Sequence, residues 1–400
     1  MKSEERVHRL IFLVVAGVFA VSTVKAQDVP PKKLTLDGYV SGMQSVMDME
    51  STDGYWLYET QLHNRLNLNY YPSSTLSFSI QARNRFITGD RLKMDAGGQA
   101  KRSLEGDPGF ADLSFNLARG KSYVINTTVD RLWLKYTLEK LEVTLGRQRI
   151  NWGQTLVWNP NDWFNNYSYF DFDYPEKPGS DALRIQYYTG ALSAAEIVVT
   201  TDSTKKATAA IRYRMNSGTY DLQLLGGLLS DNDVAFGFGW AGGLRDIGFR
   251  GELAYFHPVR QFADTSGLFF MSLGLDYTFS NSLAVLVEGL YCRIPDSRGG
   301  INFLEFYQRP MSVKDLSFTE WNLFGQVSYP FTPLWNGSFA AMFFPDVRGI
   351  YLGPAITYSL TDNFDFSFYM QWFSVESPGI AAEDDRQNFT MAFLRFKYNF

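Results

Sequence analysis

Residues 61–82 read Gln-Leu-His-Asn-Arg-Leu-Asn-Leu-Asn-Tyr-Tyr-Pro-Ser-Ser-Thr-Leu-Ser-Phe-Ser-Ile-Gln-Ala. From Leu62 to Tyr70 apolar side chains fall on one face and mainly polar side chains on the other. After a turn at 72–74 the same alternation resumes, with Phe78 and Ile80 on the apolar face. A period of two places successive side chains on opposite faces of a strand, so this stretch predicts two half-buried strands joined by a tight turn.

The pattern recurs through the chain up to its last residue. Near the C-terminus, apolar residues from Phe364 to Trp372 alternate with polar or amphipathic ones. A coarse count gives about 18 such segments, and 16 is also compatible with the pattern. The sequence therefore predicts an all-β fold, a single domain over residues 27–400.

The composition narrows the class of protein. Aromatic residues make up 16% of the chain, yet its mean hydropathy is −0.18, so apolar residues are interleaved with polar ones rather than massed in one core. A single cysteine, Cys292, excludes a disulfide framework, and three histidines leave little material for a metal site. The pI of 5.4 gives no basic footprint for nucleic acid. No cofactor is predicted.

The first 26 residues have the pattern of a secretory signal peptide. Lys2, Arg6 and Arg9 precede an apolar run at 10–21, and small residues flank the expected cleavage site before Gln27. The run is too short to span a bilayer as a helix. The sequence thus predicts an exported protein with a cleaved leader.

The polar face of the strands is too charged for the dry core of a soluble sandwich, because it carries several arginines. Lumen-facing positions of a membrane barrel are polar, whereas lipid-facing positions are apolar with aromatic residues at both ends. We therefore expect a membrane-spanning antiparallel up-and-down β-barrel in the bacterial outer membrane. Short periplasmic turns should alternate with long extracellular loops near 89–121, 152–180, 294–316 and 375–386.

The last strand ends the chain on an aromatic residue. Phe396, Tyr398 and Phe400 alternate on one face. This resembles the C-terminal signature by which Gram-negative outer-membrane barrels are recognised. The resemblance implies that the barrel assembly machinery is a partner.

Alternation also predicts which charges line the lumen. Basic side chains are expected inside on the earlier strands, at Arg65, Arg83, Arg85, Arg131, Arg184, Arg212 and Arg214. Acidic side chains are expected inside on the later strands, at Asp221, Glu252, Asp276, Glu288, Glu320 and Asp365. Two walls of opposite charge would set a transverse field favouring polar or zwitterionic solutes. Local ion pairs within a plugged interior are the alternative.

Residues 146–184 contain the least regular stretch of the chain. It reads Gly-Arg-Gln at 146–148, Trp-Gly at 152–153, Asn-Pro-Asn-Asp-Trp-Phe-Asn at 159–165 and Lys-Pro-Gly-Ser-Asp-Ala-Leu-Arg at 177–184. These motifs resemble porin-like barrels of Gram-negative outer membranes, a broad group that includes relatives of alginate exporters. The resemblance covers about 40 residues and implies a channel without naming its solute.

The loop at 152–180 could fold into the lumen and narrow it, and a short helical turn is expected after Asn159. Aromatic residues there could stack on a solute, or pack on one another to hold the loop still. The candidates for a constriction are Arg147, Arg149, Trp152, Trp158, Asp162 and Trp163.

The predicted function is an outer-membrane channel for passive passage of small polar or charged solutes. A plugged barrel with a role in secretion or surface assembly is the alternative. An outer-membrane lipase or protease is disfavoured, although His63 faces inward and Ser77 or Ser79 could lie across the strand pair. Outer-membrane lipid and a small polar solute are the other expected partners. The sequence leaves homotrimer and monomer open, because a contact between copies would resemble lipid-facing surface.

Overall fold

A computed structural model of the chain describes residues 32–49, 55–95, 97–165, 167–260, 262–293, 311–376 and 386–400. The predicted signal peptide 1–26 lies outside the described residues. So do most of the predicted loops 294–316 and 375–386.

The described residues form 19 antiparallel strands, joined in one sheet. In chain order they are β1 (Leu34–Met49), β2 (Trp56–Tyr70), β3 (Leu76–Gly89), β4 (Ser114–Arg119), β5 (Tyr123–Leu138), β6 (Leu141–Gln148), β7 (Ser180–Tyr188), β8 (Ala194–Thr201), β9 (Ala207–Ser217), β10 (Tyr220–Leu229), β11 (Asp233–Leu244), β12 (Ile247–Pro258), β13 (Leu268–Thr278), β14 (Ala284–Arg293), β15 (Trp321–Pro330), β16 (Trp335–Phe344), β17 (Gly349–Thr361), β18 (Phe364–Glu376) and β19 (Arg386–Asn399).

The sheet closes on itself, because β1 pairs with both β2 and β19. The closing seam runs from Tyr39 opposite Asn399 to Met49 opposite Phe389. Strand β4 lies outside the ring, since β3 pairs directly with β5 and β4 pairs only with the outer part of β5. The described strands of the ring therefore number 18, which confirms the predicted up-and-down barrel.

The two faces of the strands differ as the alternation predicts. On β2, Leu62 and Leu66 are 44% and 38% exposed, whereas His63 and Arg65 between them are buried. Exposed apolar side chains on one face and buried charged ones on the other are expected when the outside meets lipid and the inside meets polar groups.

The two ends of the barrel also differ. At one end, connections between described strands hold at most five residues, as at 71–75 and 245–246. Both ends of the barrel chain lie here, where the Gly38 N–H donates to the Phe400 carbonyl at 3.1 Å. The longest connections gather at the other end, the outer rim, which fits the predicted alternation of short turns and long loops.

The loop at 89–121 is more ordered than the sequence suggested. It contains helices α1 (Asp90–Met94) and α2 (Gln99–Ser103), followed by β4. Leu92 of α1 is buried against Ile87 and Val124, which fastens the loop to the outer ends of β3 and β5. No helix among the described residues is long and apolar enough to cross a membrane.

Arg147, at the end of β6, joins this loop to the barrel rim. Its Nε donates to Asp181 at 2.7 Å, and its Nη1 donates to Asp107 at 2.6 Å. Alternation places Arg147 and Asp181 on the face of Leu145 and Leu183, which is the outer face. The expected constriction contact at Arg147 is therefore wrong, because the side chain points outward under the 89–121 loop.

We expect Arg147→Ala to destabilise the barrel by about 3–5 kcal/mol, because Asp107 and Asp181 would both lose the guanidinium that they bind. Urea unfolding in detergent micelles, followed by Trp fluorescence, measures the change. Arg348→Ala is the control, since the Arg348–Glu376 pair joins exposed side chains. Equal midpoints for the two variants would contradict this account.

Candidate functional site

The segment between β6 and β7, residues 149–179, folds into the barrel and is called the inserted loop below. It begins against the wall formed by β8 and β10. The Trp152 indole N–H donates to Glu196 at 2.8 Å, and the Gln223 amide donates to the Trp152 carbonyl at 2.6 Å. Glu196 and Gln223 are buried on the inner face, so the loop enters the lumen at once.

Two buried carboxylates fix the next part of the inserted loop. Glu252 of β12 accepts the N–H groups of Thr155 at 2.8 Å and Asn161 at 2.7 Å, and also that of Gln154. Glu288 of β14 accepts three consecutive N–H groups, at 156–158, over 2.8–3.2 Å. Both carboxylates thereby receive the hydrogen bonds that a buried charge requires, and the loop backbone gains a fixed path.

The middle of the inserted loop crosses to the later strands. Tyr169 donates to Gln326 of β15 at 3.2 Å, and Gln371 of β18 donates to the Phe170 carbonyl at 3.0 Å. Phe172 then stacks on Tyr369 of β18, with ring centroids 4.2 Å apart.

The last part returns to the earliest strands. Asp173 accepts from Arg83 of β3 at 2.9 Å, and Tyr174 donates to Asp130 of β5 at 2.5 Å. Arg131 donates to the carbonyls of Glu176 and Lys177 at 2.5 and 2.9 Å. The inserted loop thus contacts strands on all sides of the lumen.

The aromatic side chains of the loop pack mainly on one another and on the wall. Trp152 lies edge-on to Phe164 with ring centroids 4.9 Å apart, and 5.9 Å from Trp163. Trp158 contacts Phe324 of β15. Because Trp152, Trp158 and Trp163 are all less than 10% exposed, they hold the loop in place rather than offer a stacking surface. A helical turn was expected after Asn159. The structure has a hydrogen-bonded turn there, in which the Asp162 N–H donates to the Asn159 carbonyl, and no helix.

The basic residues of the earlier strands lie inside, and several of them form ion pairs with acidic side chains there. Arg65 forms a two-point pair with Asp130, at 2.6 and 2.8 Å. Arg184 and Arg212 both bind Glu196, at 2.8 and 2.7 Å. These pairs are local, since each joins strands that lie close together in the sheet.

Two of these acids, Asp130 and Glu196, are not among the lumen-facing residues predicted from the sequence. Asp130 faces inward because β5 carries a bulge: Gln81 pairs with Arg131 and Ala82 with Val129, so Asp130 and Arg131 are both buried. Strict alternation would have placed Asp130 in lipid. Glu196 could have been found, because its neighbours Ile197 and Val199 mark the outer face.

The acidic residues of the later strands do not form a wall facing water. Glu252 and Glu288 are fully buried beneath the inserted loop. Asp276 pairs with Arg250, and Asp365 accepts from Ser359 and Asn399 near the short turns. Asp221 and Glu320 are exposed, and Glu320 precedes β15 instead of lying on it. The acidic wall expected from the sequence is therefore broken, because its two central carboxylates, Glu252 and Glu288, do not reach water.

Several cations in the lumen have no acid of their own. Among the described residues, Arg85 donates only to the Asn126 side chain, at 2.7 Å, and neither Arg149 nor Arg214 forms an ion pair. The Lys177 ammonium lies over the Tyr167 ring. Arg85, Arg149 and Arg214 are therefore cations of the inner face that form no ion pair among the described residues.

Burial shifts two ionisable groups of the inserted loop. The pKa of Asp162, which is fully buried, rises to about 6. The pKa of Lys177 falls to about 8, first because of burial and then because Arg149 is near. Arg149, Asp162 and Lys177 are therefore close in space, as their mutual electrostatic influence requires.

The serine–histidine pair considered from the sequence does not form. The strand register places His63 opposite Arg85 on β3, and Ser79 opposite Asn69, to which it donates at 2.6 Å. His63 lies instead 3.7 Å from Asp173 and edge-on to Tyr39. Within the described part of the chain, no group of three or more His, Cys, Asp or Glu side chains is placed to hold a metal ion.

The fold is similar to that of solved outer-membrane porins. Acinetobacter baumannii OccAB4 is 11% identical, with a TM-score of 0.55 over 92% of this chain and 99% of that one. Pseudomonas aeruginosa OpdQ is 9% identical, with a TM-score of 0.56 over 92% of this chain and 99% of that one. No protein-family model matches the chain, and no characterised protein matches it by sequence. The likeness confirms a porin-like barrel, the architecture expected from the sequence.

We expect Glu288→Gln to loosen the inserted loop without unfolding the barrel. A glutamine offers one acceptor oxygen where the carboxylate offers two, and its NH₂ would face the N–H groups of 156–158. Losing charge-assisted bonds of about 1.5–3 kcal/mol each should expose the loop to proteolysis. Limited proteolysis in micelles, read by mass spectrometry, measures this, with Glu320→Gln as the control. Unchanged resistance would show that Glu288 does not hold the loop.

Proposed function

We propose that this protein is an outer-membrane channel for small polar solutes and that it favours anions. The observation that carries the proposal is a set of inner-face cations that form no ion pair in the described part of the chain. Arg184 and Arg212 share Glu196, while Arg85 and Arg149 form no ion pair among the described residues. Glu252 and Glu288 are bound to loop backbone and sealed from water.

Unpaired guanidinium groups in a confined aqueous passage raise the local concentration of anions, because low-dielectric walls focus their field. A barrel of 16 to 18 strands is also wide enough to leave an aqueous channel around an inserted segment. The inserted loop then narrows the passage and sets the size of solute that can cross.

The plugged barrel is the second candidate, favoured by the contacts that the inserted loop makes around the lumen. Purified protein in a planar lipid bilayer distinguishes the two functions. Discrete, ohmic steps of conductance are expected for a channel. A protein that inserts but stays silent would support the plug.

The proposed location and assembly follow from the two ends of the chain. Residues 1–26 would direct export and be removed. Phe396, Tyr398 and Phe400 would present the C-terminal strand to the barrel assembly machinery, and outer-membrane lipid would cover the apolar outer face. The fold neighbours are porins and not enzymes, and no catalytic role is proposed.

Anion preference should fall when the unpaired cations are removed. Removing one charge that lies several ångströms from a permeating ion changes the free energy of that ion by roughly 0.5 kcal/mol in water. A change of this size alters the permeability ratio about two-fold. We therefore expect Arg85→Gln and Arg149→Gln together to lower the anion-to-cation ratio by about four-fold. Reversal potentials in a salt gradient measure it.

Arg245→Gln is the matched control, since Arg245 is exposed in the short turn between β11 and β12. It should leave the ratio unchanged. If the double variant retained the wild-type ratio, anion preference would have to be abandoned even for a conducting pore.

Selectivity should also depend on pH through Lys177. Because its pKa is lowered to about 8, this side chain is charged at pH 7 and mostly neutral at pH 9. Anion preference should therefore fall as the pH rises between these values. Reversal potentials at the two pH values test this, and the fall should be smaller in Lys177→Met. An equal fall in both proteins would exclude Lys177 as its source.

A further inference from the structure

The outer face of the barrel is apolar over most of its circumference. Outward side chains that are at least 43% exposed include Leu145, Ile197, Leu224, Phe236, Leu323 and Phe343, on strands from β6 to β16. Such a surface suits lipid tails, which neither donate nor accept hydrogen bonds.

One sector of the outer face is different. On β1, β2, β3 and β5 the outward positions include a set of neutral polar residues, which we call the polar seam: Gln44, Thr60, Asn64, Asn84 and Thr127, the last of them buried beside β4. Their outward direction follows from alternation, because His63 and Arg65 on β2, and Arg83 and Arg85 on β3, bond to groups inside the barrel.

The polar seam lies at the level of the membrane. On β2 the exposed aromatic residues Tyr58 and Tyr70 lie near the two ends of the strand, and Thr60 and Asn64 lie between them. Outward aromatic residues mark the two interfaces of a lipid-facing band, so the seam is within that band.

The seam residues satisfy one another only in part. Asn84 donates to Asn64 at 2.9 Å, Thr127 donates to Asn84 at 2.7 Å, and Thr60 donates to Gln44 at 2.6 Å. The Asn64 amide nitrogen donates to no acceptor among the described residues. An amide N–H facing hydrocarbon is costly, so the seam requires a polar cover.

We propose that the polar seam is a contact between copies of this chain in the membrane. An amide both donates and accepts, so a second copy brings the complementary groups that lipid lacks. The seam carries no charge, which fits a neutral polar partner and not an anionic headgroup. Gly42 and Ala82 lie beside it, and small residues allow two membrane surfaces to approach closely. This contact is independent of the solute that crosses the barrel.

The mass of the purified full-length protein tests the proposal, by light scattering in micelles and native mass spectrometry from nanodiscs. Wild type should have at least twice the mass of one chain. Asn64→Leu with Asn84→Leu should reduce it to one chain while the folded band on unheated gels persists. Leu224→Ala, on the apolar face, should keep the oligomer. A wild-type monomer in both media, or a double variant that stays oligomeric, overturns the proposal.

Cross-linking in native outer membranes identifies the partner. Cys292 is the only cysteine and is buried, so Ala82→Cys places a single reactive thiol beside the seam and keeps Asn64 and Asn84 intact. A short bis-maleimide should give a product of two chains, more than with Leu224→Cys. A product with a different protein, or equal yields at the two positions, would overturn the assignment to a second copy.

Discussion

The pairing of β1 with β19 is the contact on which the rest of this molecule depends. Lipid offers no hydrogen-bond partners, so every backbone N–H and carbonyl in the membrane must be satisfied within the chain. Eleven consecutive residue pairs between β1 and β19 remove the last two open edges of the sheet. The closed ring encloses a lumen wide enough to take in the inserted loop, and the buried carboxylates that hold the loop exist only because the ring positions them.

The barrel was predictable because its physics is local. A period of two, turn residues at regular intervals and an aromatic final strand are all read within short windows, and together they fixed about 18 strands. The lumen-facing direction of Arg65 and Glu252 follows from the same period. The ends of strands were harder to predict: Glu320, expected on a strand, precedes β15, because alternation in the sequence continues past the last hydrogen bond of the ladder.

The arrangement of the site could not be predicted, since it depends on contacts between distant parts of the chain. Nothing near 154–161 indicates that Glu252 and Glu288, some 90 to 135 residues later, will bind its backbone. The bulge in β5 turns Asp130 inward against the period, and the outer-rim loop covers Arg147. The acidic wall is broken for the same reason: alternation predicts the direction of a side chain but not the group that it binds.

The order in which the strands are made limits when β1 can pair with β19. Strand β1 is made before the other strands of the ring and β19 after them, so the ring cannot close until β19 has been made. The inserted loop must also wait, because it binds strands from β8 to β19 that follow it in the chain. Contacts this distant in sequence form slowly. Until they form, the chain has open strand edges that can pair with other chains.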